Sequence, residues 1–264
     1  TMAFVKTEVQ GAVEIITIDR PKALNALNPE VLADLKAAFE AVDQNAIRCI
    51  VLTGEGDKSF VAGADIGSMS TMTKAEGEAF GKLGNDVFLM IQSFPIPVIA
   101  AVNGFALGGG NELAMSCDIR ICSDNAVFGQ PETGLGITPG FGGTQRLARL
   151  VSPGMAKQIL YTAKNIKADE ALRIGLVNAV YPQDELMAAA QKLAGQIAAN
   201  APIAVRATKA AINTGLEQPM DEAIVTEEKL FGSCFETEDQ KAGMANFLEK
   251  DKTKKLKVVP YQGK

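Results

Sequence analysis

Two carboxylates, a run of glycines and one missing residue type define the chemistry open to this chain. Glu112 follows Gly108-Gly109-Gly110 directly, in Asn111-Glu112-Leu113-Ala114-Met115. Glu132 stands in Gln130-Pro131-Glu132-Thr133-Gly134, a loop poor in other charges. Histidine is absent from all 264 residues. That excludes a Ser-His-Asp triad, a Cys-His dyad, a histidine base and a histidine-ligated metal. Proton transfer near neutral pH then falls to carboxylates, Lys, Tyr or Cys with shifted pKa values. Glu112, in the first turn of a predicted helix, is expected to be held ionised by the helix dipole, which suits a base holding a water. Glu132, in apolar surroundings, is expected to have a raised pKa, which suits an acid. Two carboxyls pushed apart in this way make a workable acid/base pair. Taken singly, each has a plainer reading, as a surface residue complementing its helix or as an exposed turn residue. Spacing alone does not bring the two together.

The glycines supply a second element. A backbone free of side chains at a helix N-terminus offers bare N–H groups to a phosphate or an oxyanion. The order Gly104-x-x-x-Gly108-Gly109-Gly110 is not the G-x-G-x-x-G of a dinucleotide site, so a Rossmann reading is rejected. A tight strand-to-helix turn is the alternative. Ala62-Gly63-Ala64-Asp65 is a second small-residue stretch, and one N–H from each stretch would form a two-donor oxyanion hole. Asp65 alternatively caps the helix that follows. Met69, Met72, Met90 and Met115 would line an acyl pocket or fill the core.

These groups must be carried by the surrounding elements. Val13–Ile18 reads as a β-branched strand, and Asn28-Pro29 opens a helix running to about Asp43. Residues 48–53 and 97–102 are apolar strands. Residues 73–93 read as a helix interrupted by Gly77, Gly81 and Gly84. Residues 104–110 form a glycine-rich turn, 110–117 a helix, 118–123 and 126–128 short strands, and 143–151 a helix. Strands therefore concentrate before about residue 130. The pattern predicts an α/β core with crossover connections over residues 1–200, and a helical region over 201–264 with its joint at Ala201-Pro202. No repeat of fixed period is visible.

Composition bounds the partners. Hydrophobic residues make up 47% and charged residues 22%, ample for a core. The net charge of -5 opposes nucleic acid as main partner. Cys49, Cys117, Cys122 and Cys234 are scattered and read as reduced core thiols, not a metal site. The apolar run 97–102 is too short for a bilayer, no leader pattern is present, and Thr1 ahead of Met2 reads as an expression remnant. A cytoplasmic protein without membrane partners is expected.

Longer stretches carry a resemblance. Pro97 to Asp118 contains Asn103-Gly104-Phe105-Ala106-Leu107-Gly108-Gly109-Gly110-Asn111-Glu112, and is followed by Phe128-Gly129-Gln130-Pro131-Glu132-Thr133-Gly134 and Pro139-Gly140-Phe141-Gly142-Gly143-Thr144-Gln145-Arg146. Together with Arg20 to Leu27, Phe60 to Asp65 and Phe235 to Asp239, these resemble the crotonase (enoyl-CoA hydratase/isomerase) family. The resemblance implies a ClpP/crotonase-like spiral of ββα units with a helical C-terminal trimerisation region, commonly a homo-hexamer built as a dimer of trimers. It implies an acyl-CoA thioester substrate, with coenzyme A part of that substrate and no separate cofactor or metal. The N–H groups of Ala64 and Gly109 would polarise the thioester carbonyl. Glu112 would orient the water attacking C3, and Glu132 would exchange the proton at C2. Gln130 would support them, and Gly142-Gly143 would lie near the water. Ala23, Leu24, Ala62, Asp65, Ile66 and Gly67 would line the nucleotide and pantetheine groove, while Phe231 and Lys250 would reach a neighbouring subunit's coenzyme A. Phe60 to Asp65 and Gly136 to Phe141 are most similar to short-chain clostridial-type members. These interconvert crotonyl-CoA and (S)-3-hydroxybutanoyl-CoA in butyrate and butanol metabolism. Double-bond isomerisation and a non-catalytic RNA-binding role are the competing expectations.

Overall fold

Along the central strands, buried side chains alternate between two cores, one on each face of the large sheet. The computed structural model describes residues 2–264, so Thr1 lies outside the described residues. A hairpin of β1 (Val5–Gln10) and β2 (Val13–Ile18) leads into α1 (Pro29–Glu40), whose Asn28 cap accepts from the Val31 N–H at 2.9 Å. Then come β3 (Cys49–Gly54), β4 (Ser59–Val61), α2 (Ile66–Met69) and α3 (Lys74–Ser93). The next unit is β5 (Val98–Val102), β6 (Phe105–Leu107) and α4 (Gly109–Ser116). The third is β7 (Ile119–Ser123), β8 (Val127–Gly129), α5 (Gly143–Val151) and α6 (Pro153–Thr162). The chain continues through β9 (Ile166–Lys167), α7 (Ala168–Arg173), β10 (Ala179–Tyr181) and α8 (Leu186–Ala198). It closes with α9 (Pro202–Gly215), α10 (Met220–Cys234) and α11 (Glu238–Leu248).

One sheet has the order β1-β2-β3-β5-β7-β10 and the other β4-β6-β8-β9. Each ββα turn thus adds one strand to each sheet, which is a spiral. The turns differ greatly in length because α2 and α3 are inserted in the first, so the sequence shows no fixed period. Ile50 and Leu52 of β3, with Val98, Ala100 and Val102 of β5, face the main core. Cys49, Val51, Ile99 and Ala101 face a second core covered by α8. Burial on both faces explains why these strands read as continuous apolar runs.

Strands are not confined to the first 130 residues. β9 and β10 lie beyond, and residues 105–107 are a strand inside the glycine-rich turn. Each is two or three residues long, and each is formed by pairing with a preexisting edge: β10 on β7, β9 on β8, β6 on β4. Such lengths carry no readable period. Cys49, Cys117 and Cys122 are buried, whereas Cys234 is only half-buried on α10.

The helical region from 201 onward docks through polar side chains. On α9, Arg206 donates to the carbonyls of Gln44 and Ile47, Lys209 pairs with Asp118 at 2.7 Å, and the Asn213 amide donates to the Gln92 carbonyl at 3.0 Å. Much of the apolar surface of this region is exposed, including Leu216, Met220, Phe231, Phe247 and Leu248. Among the described residues, no helix is long and apolar enough to cross a membrane.

The three glycines of α3 do not interrupt it, because a reciprocal cap between Thr73 and Glu76 starts the helix. Gly84 is required by its neighbour: a Cβ there would lie 2.4 Å from the Phe141 ring, itself held edge-on between Phe80 and Phe88. Gly77 has open space around it. Gly84→Ala is expected to cost about 1–3 kcal/mol by overpacking. Gly77→Ala is expected to be neutral or to stabilise by up to about 1 kcal/mol through helix propensity. Urea unfolding of the two variants checks this contrast.

Candidate active site

Glu112 and Glu132 meet at one cavity of about 930 Å³, formed between the loops that leave β4, β6 and β8 and the long helix α3. Of the residues expected from sequence, Ala62, Ala64, Ile66, Gly109, Glu112 and Glu132 line it. Met69, Met72, Phe80 and Phe141 supply apolar wall. Met90 and Met115 belong to the core instead.

Glu112 is 1% exposed, and its Oε1 accepts the N–H groups of Phe141 at 3.0 Å and Gly143 at 2.7 Å. A Cβ on residue 143 would lie 2.7 Å from that oxygen, so glycine is needed for the carboxylate to reach the backbone. The helix-dipole expectation for Glu112 does not hold. Burial, followed by the like charge of Glu132, pushes its carboxyl up to about 7. These outweigh the opposing pull of the two N–H bonds and the Arg146 guanidinium. A first-turn position is a weak partial charge against near-complete loss of water.

Glu132 is 8% exposed and is also raised, chiefly by burial. Its Oε2 is buried without a hydrogen-bond partner among the described residues. Both carboxyls are thus raised by burial at one cavity, and two such neighbours titrate as a coupled pair. The main-chain N–H groups of Phe141 and Gly143 oppose the rise on Glu112, and a hydrogen bond from its own backbone opposes it on Glu132.

Two other main-chain N–H groups face the same space. Ala64 forms a parallel bridge with Leu27, in which Leu27 N–H donates to the Gly63 carbonyl and Asp65 N–H to the Leu27 carbonyl. This leaves the Ala64 N–H pointing the other way. Gly109 is the first residue of α4, so its N–H has no preceding turn to bond. The Gly108 carbonyl, at the other end of the Gly109 peptide, accepts from Glu112 N–H at 3.0 Å. With its amide nitrogen turned toward the acceptors, buried Gln130 also donates to Gly108 at 2.9 Å and to Gly129 at 3.1 Å. Gly108 has φ +49°, and a Cβ there would lie 2.6 Å from Glu132 Oε1 and 3.9 Å from Gly63 Cα. The triple-glycine turn, the 62–65 stretch and Glu132 thus converge.

Other expected positions lie outside the cavity lining. Asp65 precedes α2 without a side-chain cap, because its carboxylate pairs with Arg20 at 3.0 Å. The Leu24 carbonyl accepts Ser59 Oγ and the Ala62 N–H, which ties Leu24, with Ala23 before it, to Ala62 of the lining. Gly67 is exposed. Gly142 is the αL residue capping α5, and Gly143 is the one that reaches Glu112. Phe231 lies exposed on α10, stacked edge-on with Phe235, and Lys250 is exposed beyond α11, so neither enters this chain's cavity. Sequence reasoning missed Phe80, Phe141 and Arg146. The Gly140–Gly143 cluster just before a helix was the available signal for the latter two.

The enoyl-CoA hydratase/isomerase family model matches residues 8–255. The chain is 57% identical over 251 residues to a short-chain-enoyl-CoA hydratase of Clostridium acetobutylicum, covering 95% of this chain and 96% of that one. It is 56% identical over 246 residues to a crotonyl-CoA hydratase of Syntrophomonas wolfei, covering 93% and 95%. A crystal structure of an enoyl-CoA hydratase from Bacillus anthracis matches with TM-score 0.94 at 35% identity, over 99% of this chain and 100% of that one.

The electrostatics of Glu112 have a consequence for stability. Its folded-state value of about 7 lies above the ordinary 4.5. The ionised side chain therefore opposes folding at high pH, by roughly 3 kcal/mol. That cost is absent below about pH 4.5 and complete above about pH 7. Glu112→Gln is accordingly expected to unfold at higher urea than the parent at pH 8 and to lose that advantage at pH 5. An equal difference at both pH values would count against the assignment.

Proposed function

The chain belongs to the enoyl-CoA hydratase/isomerase (crotonase) family, and on that premise we propose that it is a short-chain enoyl-CoA hydratase, a hydro-lyase that reversibly interconverts crotonyl-CoA and (S)-3-hydroxybutanoyl-CoA. The observation that carries this reading is the convergence of two buried carboxyls with raised pKa values and two main-chain N–H groups on a single apolar-walled cavity.

The thioester carbonyl accepts the N–H groups of Ala64 and Gly109. Water held by Glu112 adds to C3 and gives up a proton to that carboxylate. The C2–C3 π electrons move toward the thioester oxygen, where the negative charge is met by fixed donors. Glu132 delivers its proton to C2. The pair carries one proton before and after the step, on opposite members, and the reverse sequence dehydrates the alcohol. Coenzyme A is part of the substrate, and the scheme uses no separate cofactor or metal.

The same reading extends to the assembly. The exposed apolar surface of α9 to α11 suits a trimer contact and a hexamer made of two trimers. Phe231 and Lys250, outside their own cavity, would reach a neighbour's coenzyme A, while Ala23, Leu24, Asp65 and Gly67 would line the way out of this one, a reading supported by the bond from Ala62 of the lining to Leu24. A role in four-carbon acyl metabolism fits the names of the relatives, and the net charge of -5 disfavours nucleic acid as a partner; a cytoplasmic setting without membrane partners is part of the same reading.

Adding crotonyl-CoA should bleach the absorbance of its conjugated thioester. Glu112→Gln and Glu132→Gln should each lower kcat by about 10²–10⁴-fold with coenzyme A binding nearly intact. Wild-type turnover in either variant would end the two-carboxylate scheme. Among C4, C6, C8 and C16 2-enoyl-CoAs, kcat/KM should peak at C4, and a maximum at C8 or beyond would overturn the short-chain assignment alone.

A further inference from the structure

The two N–H groups that hold Glu112 belong to peptides whose opposite ends are also gripped. The Phe141 N–H shares its peptide plane with the Gly140 carbonyl, which accepts the Asn85 amide at 2.8 Å. The Gly143 N–H shares its plane with the Gly142 carbonyl, which accepts the N–H groups of Gln145 at 3.1 Å and Arg146 at 2.9 Å. The peptide between them ends in the Phe141 carbonyl, which accepts Arg146 Nη1 at 2.9 Å. Arg146 is itself oriented from α3, where Gln92 Oε1 accepts its Nε at 2.9 Å. Asn85 is oriented by the Gly81 carbonyl of the same helix at 2.9 Å.

We propose that Arg146 and Asn85 are positioning residues for Glu112, acting through the three successive peptides of the 140–143 loop. A planar peptide transmits orientation from its carbonyl to its N–H, because the bond between them does not rotate. Polarisation by a donor at the carbonyl also strengthens the bond its N–H gives. Arg146 is suited to this place by its fork of donors, which engages Gln92 and Phe141 at once. A lysine ammonium lacks that geometry.

The groups facing Glu112 are few. Glu132 opposes its ionisation from the loop after β8, and Arg146 favours it from α5. Lys74 and Glu78 of α3 line the cavity but pair with each other at 3.7 Å on an exposed face. Removing Arg146 therefore takes away both the clamp and the only cation among the described residues that acts on Glu112. Glu112 must be ionised to accept a proton from water, so the acid limb of the rate profile should move to higher pH.

This rests on Glu112 acting as the base proposed above, and two measurements keep the ideas separable. The first is steady-state hydration of crotonyl-CoA across pH. Arg146→Met should lower kcat by roughly 10- to 100-fold, change KM by less than threefold, and shift the acid limb upward. Arg146→Lys should restore the limb toward its parent position while recovering only part of kcat. Asn85→Ala should lower kcat without removing a charge, and it serves if Arg146→Met does not fold. Leu186→Ala, a buried change in the second core on the other side of the large sheet, should lose stability with kcat and the pH profile unchanged. The second is isotope-edited infrared titration of the Glu112 carboxyl, which needs no turnover and should show the same upward shift in Arg146→Met. A folded Arg146→Met with the parent's titration and kcat would overturn the proposal. Parent protein that does not hydrate crotonyl-CoA, yet shows the Glu112 shift on losing Arg146, would instead sink the functional reading.

Discussion

Two carboxyl groups are buried beside one cavity, and loss of solvation raises the pKa of both. The surrounding architecture follows from that constraint. A lone carboxylate in such a place would be neutralised by burial. A pair with one proton between them can stay poised near neutrality, provided the environment distinguishes the two members. Here the distinction is made by main-chain donors that address one glutamate and leave the other's Oε2 without a partner. The absence of histidine elsewhere in the chain makes this the available route to proton transfer.

The spiral explains how so many main-chain groups reach one point. Each turn leaves the large sheet, adds a strand to the small one and then departs as a loop or helix. The loops after β4, β6 and β8 therefore emerge side by side, because these strands are neighbours in register order. They bring the 62–65 stretch, the triple glycine with Glu112, and the loop bearing Glu132. Rigid peptides pinned at their carbonyls then do what flexible side chains do less well. Gly63 is held by Leu27, Gly108 by Gln130 and the α4 backbone, and Gly140 by Asn85. Each fixes an N–H at its far end without ordering a long rotamer.

Much of this was legible in the sequence. Long periodic helices, the apolar strands β3 and β5, both glutamates and the two glycine-bearing turns follow from residue type and order. The resemblance to known motifs then supplied their mutual placement, which spacing could not. The strands β6, β9 and β10 escaped because their existence depends on an edge already in place. The charge state of Glu112 was misjudged for a related reason: a first-turn position is visible in the chain, whereas burial depth and the nearness of Glu132 are products of the complete fold. Asp65 shows the same thing on a smaller scale, since its pairing with Arg20 spans 45 residues and displaces the local cap.

Residue 143 ties two parts of the molecule into one unit of inheritance. Its backbone does not require a left-handed conformation. A side chain there would instead collide with the Gln130 amide and with Glu112 Oε1. Glycine at this position is thus a record of what stands opposite. Were the acid at 112 and the amide at 130 replaced by smaller groups, the two tightest contacts would vanish and the approach to Pro139 Cβ at 3.0 Å would be what still limits a side chain at 143.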